Sequence, residues 1–450
     1  MIDSGDTAWI LMSSALVLLM TPGLAFFYGG LVRSKNAAAT IMQSFVMIGV
    51  VGVVWVLWGY SFAFSGDLGG FIGDGQFFGL RNVTGEAGPY SDTIPGLVFM
   101  AFQMMFAIIT PALITGAFVE RVKFSSLLIF TVAWVTLVYA PMAHWVWGGG
   151  WIGSELGAID FAGGTVVHIN AAMAAVAAAL VIGKRRGIQR ATVPHDISKV
   201  VLGTGLLWFG WFGFNAGSQL AADGGAANAF VQTNTAAAMG ALVWMGLSWW
   251  KTGKPSVVGT ATGAVAGLVA ITPAAGFVGL WPDLDGYGNI FPALIIGGGA
   301  SLLGFYAVRL LHNVRELDDT LDVFAVHGVG GLWGSLATGI FAVSAYTPAG
   351  QEGLIEGSFD LLWRQIAAML AAAAFSFVMT AAIWLTIKQF MSVRVDEDDE
   401  LAGLDRSEHE ESAYQFDEPG FYSGGVSTMV SGAISEAATD PATITAEGKE

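Results

Sequence analysis

Two histidines, His168 and His327, lie inside long apolar stretches of a chain that is hydrophobic almost from end to end. Each follows an aspartate, Asp160 in DFAGGTVVHIN and Asp322 in LDVFAVHGVGG. Ionisable side chains at membrane depth are costly and rarely face lipid, so they indicate a path for an ion or a proton. A neutral imidazole has one donor and one acceptor nitrogen, and two such rings in contact can relay a proton. The pattern therefore predicts a conduction route.

The composition is that of a membrane protein. Of the 450 residues, 54% are hydrophobic and only 12% are charged, whereas a soluble domain carries about 25% charged residues. Segments of ~20 apolar residues can cross the ~30 Å hydrocarbon core of a bilayer. We predict eleven such spans, at residues 8–30, 37–64, 94–119, 125–147, 164–183, 199–217, 229–250, 256–275, 290–311, 323–345 and 361–390. No lysine or arginine precedes the first span, so we expect no cleaved signal peptide.

The positive charges predict the orientation. With the N-terminus outside, every lysine and arginine except Arg81 and Arg364 falls in an inner segment or in the C-terminal region. Inner loops carry the excess of basic residues in multi-pass membrane proteins. We therefore predict an all-α polytopic protein of the cell membrane, with its N-terminus outside and its C-terminus in the cytoplasm.

The acidity of the chain comes mainly from its end. The formal net charge is −16, and residues 391–450 hold 15 acidic and 3 basic residues, net −12, which leaves −4 on the membrane part. Acidic exposed segments with few lysines are typical of a cytoplasm of high salt, where self-repulsion is screened, such as that of a halophilic archaeon. An ordinary disordered acidic tail explains the same composition.

An internal repeat organises the spans. The aspartate–histidine pair occurs at the start of the fifth span and again at the start of the tenth. Because five is odd, the second copy enters the membrane from the opposite side. This is the plan of inverted five-helix repeats, which place the site near the midplane between the two halves. The eleventh span and the tail fall outside the repeat.

The depth of the histidines depends on where their helices begin. Counted from the apolar runs alone, each histidine is about four residues inside its span, only ~6 Å deep at ~1.5 Å per residue, and the rings stay apart. If the helices begin earlier, near Leu156 and Glu316, the histidines move to mid-helix and can meet. Asp160 and Asp322 then lie at membrane depth and need hydrogen-bond partners. The residues leave both counts open.

Five motifs carry a resemblance to a known family. They are APMAHWVWGGGW, DFAGGTVVHINAA, WFGFNAGS, ITPAAGFV and DDTLDVFAVHGVGG. Together, in this order, they resemble the ammonium transporter (Amt/Mep/Rh) family, in particular its Amt branch, from the first span to about Tyr414. The resemblance implies eleven helices and a homotrimer with a separate pore in each subunit. It also implies that His168 and His327 are the paired pore histidines.

The same motifs supply the other site residues, each through the resemblance. The outer ammonium site is implied to consist of Trp147, Phe106 and Ser218. The gate is implied to consist of Phe106 and Phe214, and the pore lining to include Phe102, Trp211 and Thr272. Aromatic faces attract a small cation by ~0.5–2 kcal/mol, and a serine hydroxyl can accept a hydrogen bond from it.

Asp160 has two candidate roles. As a charge in the outer vestibule it would attract ammonium directly. As a buried group it would accept hydrogen bonds from the backbone amides of residues 163–166 and fix the start of the helix before His168. We expect the second role, and we assign Asp322 a similar structural and electrostatic role in the second half.

These residues predict an ammonium transporter. Bare ammonium would be costly in an apolar lumen, so we expect it to lose a proton and to pass as ammonia, with or without that proton. The alternatives are an ammonium sensor that signals through its tail and an Rh-like channel for a neutral gas, which would not need a cation site. No Walker A loop, HExxH motif or cysteine is present, so we expect no enzyme, cofactor, metal or nucleic-acid partner.

The tail resembles a regulatory segment of the same family. RVDEDDELAGLDRSEHEESAY is similar to the cytoplasmic segment that packs beneath the pores and transmits gating by PII-type nitrogen-signalling proteins. Glu410 occupies a place where the family often has glycine. We therefore divide the chain into a transmembrane domain at 1–390, a regulatory tail at 391–414 and an acidic, disordered extension at 415–450.

Overall fold

The computed structural model describes residues 1–186, 193–279, 289–314 and 317–414. The described chain is almost entirely helical, and Met1–Ala413 form one unit. The extension at 415–450, which we predict to be disordered, lies outside the described residues, as does Glu316.

Long apolar helices make up the fold, because a backbone that crosses lipid must satisfy its own hydrogen bonds. The α-helices are α1 (Ser4–Leu31), α2 (Ala37–Phe45), α3 (Met47–Val54), α4 (Tyr60–Phe64), α5 (Gly96–Thr115), α6 (Phe124–Trp134), α7 (Ala140–Val146), α8 (Trp151–Ser154), α9 (Asn170–Ile182), α10 (Ile197–Ala216), α11 (Gly224–Thr252), α12 (Val257–Ile271), α13 (Phe291–Leu311), α14 (Val329–Phe341), α15 (Asp360–Phe390), α16 (Glu397–Ala402) and α17 (Leu404–His409).

Tighter and wider turns interrupt or extend these helices. Turns of 3₁₀ helix lie at Ser34–Asn36, Phe78–Leu80, Gly217–Gln219 and Leu354–Glu356. Turns of π-helix lie at Trp55–Gly59, Val135–Tyr139, Gly164–Ile169 and Phe324–Gly328. Two short antiparallel hairpins join β1 (Asp67–Leu68) to β2 (Ile72–Gly73) and β3 (Ala87–Gly88) to β4 (Ser91–Pro95).

Nine helical segments of the described chain are long and apolar enough to cross a membrane. They are Ser4–Leu31, Ser34–Phe64, Gly96–Thr115, Phe124–Ser154, Gly164–Ile182, Ile197–Gln219, Phe291–Leu311, Phe324–Phe341 and Asp360–Phe390. The predicted spans at 229–250 and 256–275 correspond to α11, which has 29 residues but is less apolar, and to α12, which has only 15. A multi-pass helical membrane fold is confirmed, and the count of eleven spans stays a prediction.

The helices run between two faces of the bundle. Helix α1 has 28 residues and is about 40 Å long. We call the side that carries its start the N-terminal face. There the amide of Asp3 donates to the carbonyl of Thr93 (2.8 Å), and that of Trp151 donates to the carbonyl of Gly70 (3.1 Å). We call the opposite side, which carries residues 391–413, the tail face.

The tail is held against the loops of its face. A backbone bridge pairs Val122 with Arg394, and the amide of Ala39 donates to the carboxylate of Asp405 (2.8 Å). Glu410 ends α17 with a φ of 54°, in the left-handed region that favours glycine. That backbone conformation explains why glycine suits this place.

An ion network lies beneath the helices on the tail face. The carboxylate of Glu120 is fully buried and pairs with Arg33 (3.0 Å) and with Arg185 (2.9 Å). Arg185 also pairs with Asp318 (2.8 Å). Burial would raise the pKa of Glu120, but the hydrogen bond from Arg33 and the charge of Arg185 hold it below its ordinary value. The network keeps these charges paired, and removal of one member would leave an uncompensated buried charge.

Candidate conduction pathway

The two histidines His168 and His327 are in contact. Nδ1 of His327 lies 3.2 Å from Nδ1 of His168, and the ring planes are inclined by only 21°. Both residues are buried. A hydrogen bond between two ring nitrogens needs a hydrogen on one nitrogen and a lone pair on the other. The pair therefore holds one hydrogen between its rings, and Nε2 of His168 has no hydrogen-bond partner among the described residues.

The helices that carry the histidines begin later than the starts at which we expected the two rings to meet. They begin at Gly164 and Phe324, each with a turn of π-helix, which is eight residues after the earlier starts that we considered. The starts agree with those counted from the apolar runs, and the expectation that such starts keep the rings apart is wrong. The chain instead reaches the histidines through irregular segments, such as the one in which the amide of Phe161 donates to the carbonyl of Pro273 (3.1 Å). Such backbone is tolerated at depth where protein surrounds it.

Aromatic rings continue the line of the histidines toward the N-terminal face. The ring of His168 stacks on Trp211 (centroids 5.5 Å apart) and lies 6.1 Å from Phe214. Phe214 packs on Phe106 at 4.3 Å, and Phe106 meets Trp147 nearly at a right angle at 6.0 Å. The two rings assigned to the gate, Phe106 and Phe214, therefore lie between Trp147 and the histidine pair.

A cavity with mostly apolar walls reaches both histidines. Its lining consists of Met20, Leu24, Phe27, Tyr28, Ile109, Leu113, Val167, His168, Leu207, Trp211, Phe214, Val265, Leu321, Val323, Val326 and His327. Phe102 and Thr272, assigned to the pore lining by resemblance, are not part of this wall. Phe102 packs edge-on against Phe106 at 4.9 Å, and the hydroxyl of Thr272 accepts a hydrogen bond from Nε1 of Trp211 (2.9 Å). Their assignment to the pore lining stays a prediction, because this cavity is only one part of the expected pathway and Phe106 does not line it either.

Trp147 and Ser218 each contact the gate from a helix end. Trp147 follows the last residue of α7, and its Nε1–H donates to the carbonyl of Asp160 (2.8 Å). The hydroxyl of Ser218, just after α10, donates to the carbonyl of Phe214 (2.8 Å). This bond uses the only hydrogen of the hydroxyl, so its lone pairs remain able to accept a hydrogen bond from a cation.

Asp160 holds the start of the helix that carries His168. Its Oδ1 accepts from the amides of residues 163 and 164 (2.8 and 2.7 Å), and its Oδ2 accepts from those of residues 165 and 166 (2.7 and 3.2 Å). The backbone turns at Gly163, whose φ of 123° is strained for any residue with a side chain. The amide contacts expected from the sequence are present. They occupy both oxygens and oppose the effect of burial, which raises the pKa of the Asp160 carboxyl group.

Asp322 does not take the equivalent place in the second half. Its side chain is 27% exposed and pairs with Nε2 of His312 at 2.9 Å. The carboxylate at the start of the second helix belongs to Asp319, whose Oδ2 accepts from the amide of Phe324 (2.7 Å). Asp322 therefore does not hold this helix start, its structural and electrostatic role stays a prediction that the pairing with His312 supports, and sequence reasoning missed Asp319.

The spacing of the residues contains the signal that was missed. Asp319 stands eight residues before His327, the same distance by which Asp160 precedes its own histidine. Three residues after each carboxylate the backbone has a positive φ, 123° at Gly163 and 58° at Asp322. Asp322 thus corresponds to Gly163 and not to Asp160. An equal spacing to the histidine identifies the matching aspartate.

The carboxyl group of Asp319 makes the stability of the folded protein depend on pH. Burial and the charge of Asp322 raise the pKa of its carboxyl group from 3.8 to about 7. The folded protein therefore binds this proton more tightly than the unfolded chain, and stability is lost as the pH rises through this range. Asp319→Asn keeps an oxygen for the amide of Phe324 and carries no charge. We expect its apparent melting temperature in detergent to exceed that of the wild type by about 2 °C or more at about pH 8 and by less at about pH 5, because the difference vanishes only below the ordinary pKa of 3.8.

The neighbouring residue provides a control of opposite sign. Burial opposes ionisation of Asp318, but the hydrogen bond from Arg185 and the charge of Arg121 lower the pKa of Asp318 to about 2. Asp318→Asn should therefore melt below the wild type at both pH values, since both lie above the ordinary pKa of 3.8. If Asp319→Asn also melts below the wild type at the higher pH, the ionised carboxylate of Asp319 does not destabilise the folded protein.

Comparisons with known proteins agree on one family. The model of the Ammonium Transporter Family matches residues 8–414. An ammonium transporter of Bacillus subtilis is 48% identical over 411 residues, which cover 91% of this chain and 98% of the relative. The crystal structure of Candida albicans Mep2 matches with a TM-score of 0.80 and 38% identity, over 88% of this chain and 87% of that one. A structure described as a sensor Amt protein matches with a TM-score of 0.81 and 30% identity, over 90% and 98% of the two chains.

Proposed function

Because this chain belongs to the ammonium transporter family and is an ammonium transporter, we propose that it recruits ammonium at Trp147 and conducts it, after loss of a proton, past His168 and His327. The observation that carries the proposal is the 3.2 Å contact between the two histidines in a cavity with mostly apolar walls. A cation that left water for such walls would lose its hydration without a full set of replacement partners. Neutral ammonia would not.

The histidine pair has the chemistry of a relay. While both rings are neutral, the shared hydrogen belongs to Nδ1 of one ring, so Nε2 of that ring is an acceptor. The other ring then carries its hydrogen on Nε2 and is a donor there. Transfer of the hydrogen between the two Nδ1 atoms, together with uptake at one Nε2 and release at the other, moves a proton along the pathway. Ammonia and the proton can therefore travel separately.

The aromatic site recruits the cation before the gate. The faces of Trp147 and Phe106 attract ammonium, and the hydroxyl of Ser218 accepts one of its hydrogen bonds. The rings of Phe106 and Phe214 lie in contact directly behind this site, which supports their role as a gate. Asp160 adds a fixed negative charge through its four amide contacts with the helix start.

Trp147→Leu tests the recruitment site. The substitution removes one aromatic face, which is worth ~0.5–2 kcal/mol to a cation. We expect the ammonium concentration at half-saturation to rise by about threefold to thirtyfold, while the protein still folds and keeps its oligomeric state. Ammonium-evoked currents in reconstituted membranes measure the half-saturation. A value equal to that of the wild type would show that Trp147 has only a structural role.

The route of the proton is tested by two recordings on the same proteoliposomes. Addition of ammonium should give internal alkalinisation without current if ammonia enters alone. It should give current without lasting alkalinisation if the proton follows through the relay. Protein-free liposomes provide the background. If neither signal exceeds that background, the proposed pathway does not conduct.

The setting of the transporter is proposed from the same features. We place the N-terminal face outside and the tail face in the cytoplasm of a cell with a plasma membrane, because the basic loops cluster with the tail. We also propose eleven helices in inverted repeats, the Amt branch, a homotrimer, and regulation by a PII-type protein of nitrogen metabolism at residues 391–414. A halophilic source agrees with the acidity of the chain.

A sensor function is the second candidate. The similarity to a structure described as a sensor Amt protein favours it, as do the contacts between the tail and the loops of its face. Deletion of residues 396–450 separates the two functions. Loss of signalling with unchanged uptake would support the sensor, and loss of uptake would support a transporter that its tail regulates.

A further inference from the structure

A buried histidine stands beside the recruitment site and has no part in the pathway described above. His144 lies in α7, three residues before Trp147, and its side chain is fully buried. Its Nδ1 is 3.0 Å from the carbonyl oxygen of Ala63, and its Nε2 is 2.8 Å from Oδ1 of Asp67. Asp67 belongs to the first hairpin of the N-terminal face. The ring therefore touches an oxygen on each side.

These two oxygens determine the protonation of the ring. A carbonyl oxygen can only accept a hydrogen bond, so Nδ1 must carry a hydrogen. A carboxylate also only accepts, so Nε2 must carry one as well. Asp67 is held in its ionised form because the hydrogen bond from His144, and after it the amide of Gly70, lower the pKa of its carboxyl group. A ring that donates to both oxygens forms an ion pair with the carboxylate of Asp67.

Two acidic residues and a tyrosine lie on the elements around this pair. Glu155 lies beside the hairpin, near Gly70, and Asp160 lies beside Trp147. Both are acidic. Tyr90 donates to the carbonyls of Phe64 and of Gly148 (2.9 and 3.3 Å), and burial raises the pKa of its hydroxyl group, so it stays neutral.

Further contacts hold the first hairpin close to the end of α7. Nε1 of Trp145 donates to the carbonyl of Phe71 (2.8 Å). A side-chain carbon at Gly148 would lie only 2.0 Å from the carbonyl oxygen of Ala63 and 2.8 Å from the ring of His144. The backbone just after Trp147 therefore has little room to move while the ring of His144 keeps both bonds.

We propose that His144 is a positioning residue for the recruitment site, and that its doubly protonated ring fixes the helix end that presents Trp147. The inference rests on the proposed role of Trp147. Loss of the proton leaves a lone pair opposite either the carbonyl or the carboxylate, so one of the two bonds breaks. Recruitment of ammonium then weakens as the outer medium becomes alkaline.

His144→Gln tests the proposal, because glutamine has a similar reach but cannot donate on both sides and does not titrate. The half-saturation for ammonium is measured for the variant and for the wild type from about pH 6 to about pH 9. At each pH the half-saturation of the variant is divided by that of the wild type. This ratio cancels the effect of the titration of ammonium itself. We expect a ratio of about five at the acid end, which corresponds to one lost net hydrogen bond, and a fall toward one at the alkaline end. His195→Gln, on the tail face, should keep a ratio of one throughout.

Asp67→Ala provides a second variant that removes the carboxylate partner and does not require a change in the core. The Asp67 side chain is 42% exposed, so the substitution should fold even if His144→Gln does not. It should raise the half-saturation by the same factor, and the double variant should be no worse than either single one. The proposal is overturned if the ratio is one at every pH. It is also overturned if both variants show a raised ratio that does not change with pH. If Trp147→Leu has no effect either, it is the proposed recruitment site that fails.

Discussion

Replacing His168 or His327 by alanine is expected to abolish the current that ammonium evokes across a reconstituted membrane. The relay needs a donor and an acceptor nitrogen at the 3.2 Å contact of the two rings, and alanine supplies neither. The other walls of the cavity are mostly apolar, and the polar hydrogens of Tyr28 and Trp211 are already donated to the carbonyl of Leu113 and to the hydroxyl of Thr272. We expect the signal of each variant to fall to that of protein-free membranes, in recordings made with equal amounts of protein.

The control for the histidine variants is His195→Ala. His195 contacts the carbonyl of Val32 on the tail face, away from the ring pair, and its replacement should leave the current in place. Thermal melting of each purified variant shows whether it is folded. Currents of wild-type size in both folded variants would exclude the relay and would leave the histidines as packing groups.

Asp160→Ala is expected to abolish transport and to lower thermal stability together. The substitution leaves the amides of residues 163–166 without the oxygens that accept from them, and an unsatisfied buried amide costs about 1–3 kcal/mol. The start of the helix that carries His168 would then lose its fixed position. Asp160→Asn keeps one acceptor oxygen, so we expect partial transport and a smaller loss of stability.

The asparagine variant decides between the two roles of Asp160. Uptake and melting temperature are measured for both variants in parallel with the wild type. If asparagine abolishes transport as completely as alanine does while the protein remains fully stable, the negative charge itself is the function. The amide contacts would then be incidental to transport, and our assignment of Asp160 to the helix start would fall.

The apolar periodicity and the motifs predicted much of the fold and of the pathway. Runs of ~20 apolar residues identify membrane helices with few errors, because lipid forces the backbone to pair within each helix. Two predicted spans do not correspond to a helix that is both long and strongly apolar. They match α11, which is long but less apolar, and α12, which is short. The rings of Phe106 and Phe214 could be selected only because the motifs place them, since an isolated aromatic residue in a membrane helix gives no such signal, whereas His168 is also marked by its ionisable ring.

The features that the sequence did not predict involve irregular backbone and contacts between residues far apart in the chain. The apolar count placed both helix starts within one residue, but it could not show that the irregular segments before them bring the histidines together or that Asp319 lies at the second start. The two bonds of His144 join residues 77 and 81 positions apart, and no local pattern encodes them. The equal spacing of the two aspartate–histidine pairs was readable in advance, and it would have identified Asp319.

The neighbouring positions of Asp318 and Asp319 have a consequence for any partner of the tail. Asp318 pairs with Arg185 of the ion network on the tail face, whereas Asp319 holds the helix that carries His327. A single peptide bond thus joins the network to the relay. A partner that shifts this segment changes the free energy of an occupied pathway, and thermodynamic reciprocity then requires that occupancy change the affinity of the partner by the same factor. The tail would report how much ammonium is present as well as control its passage.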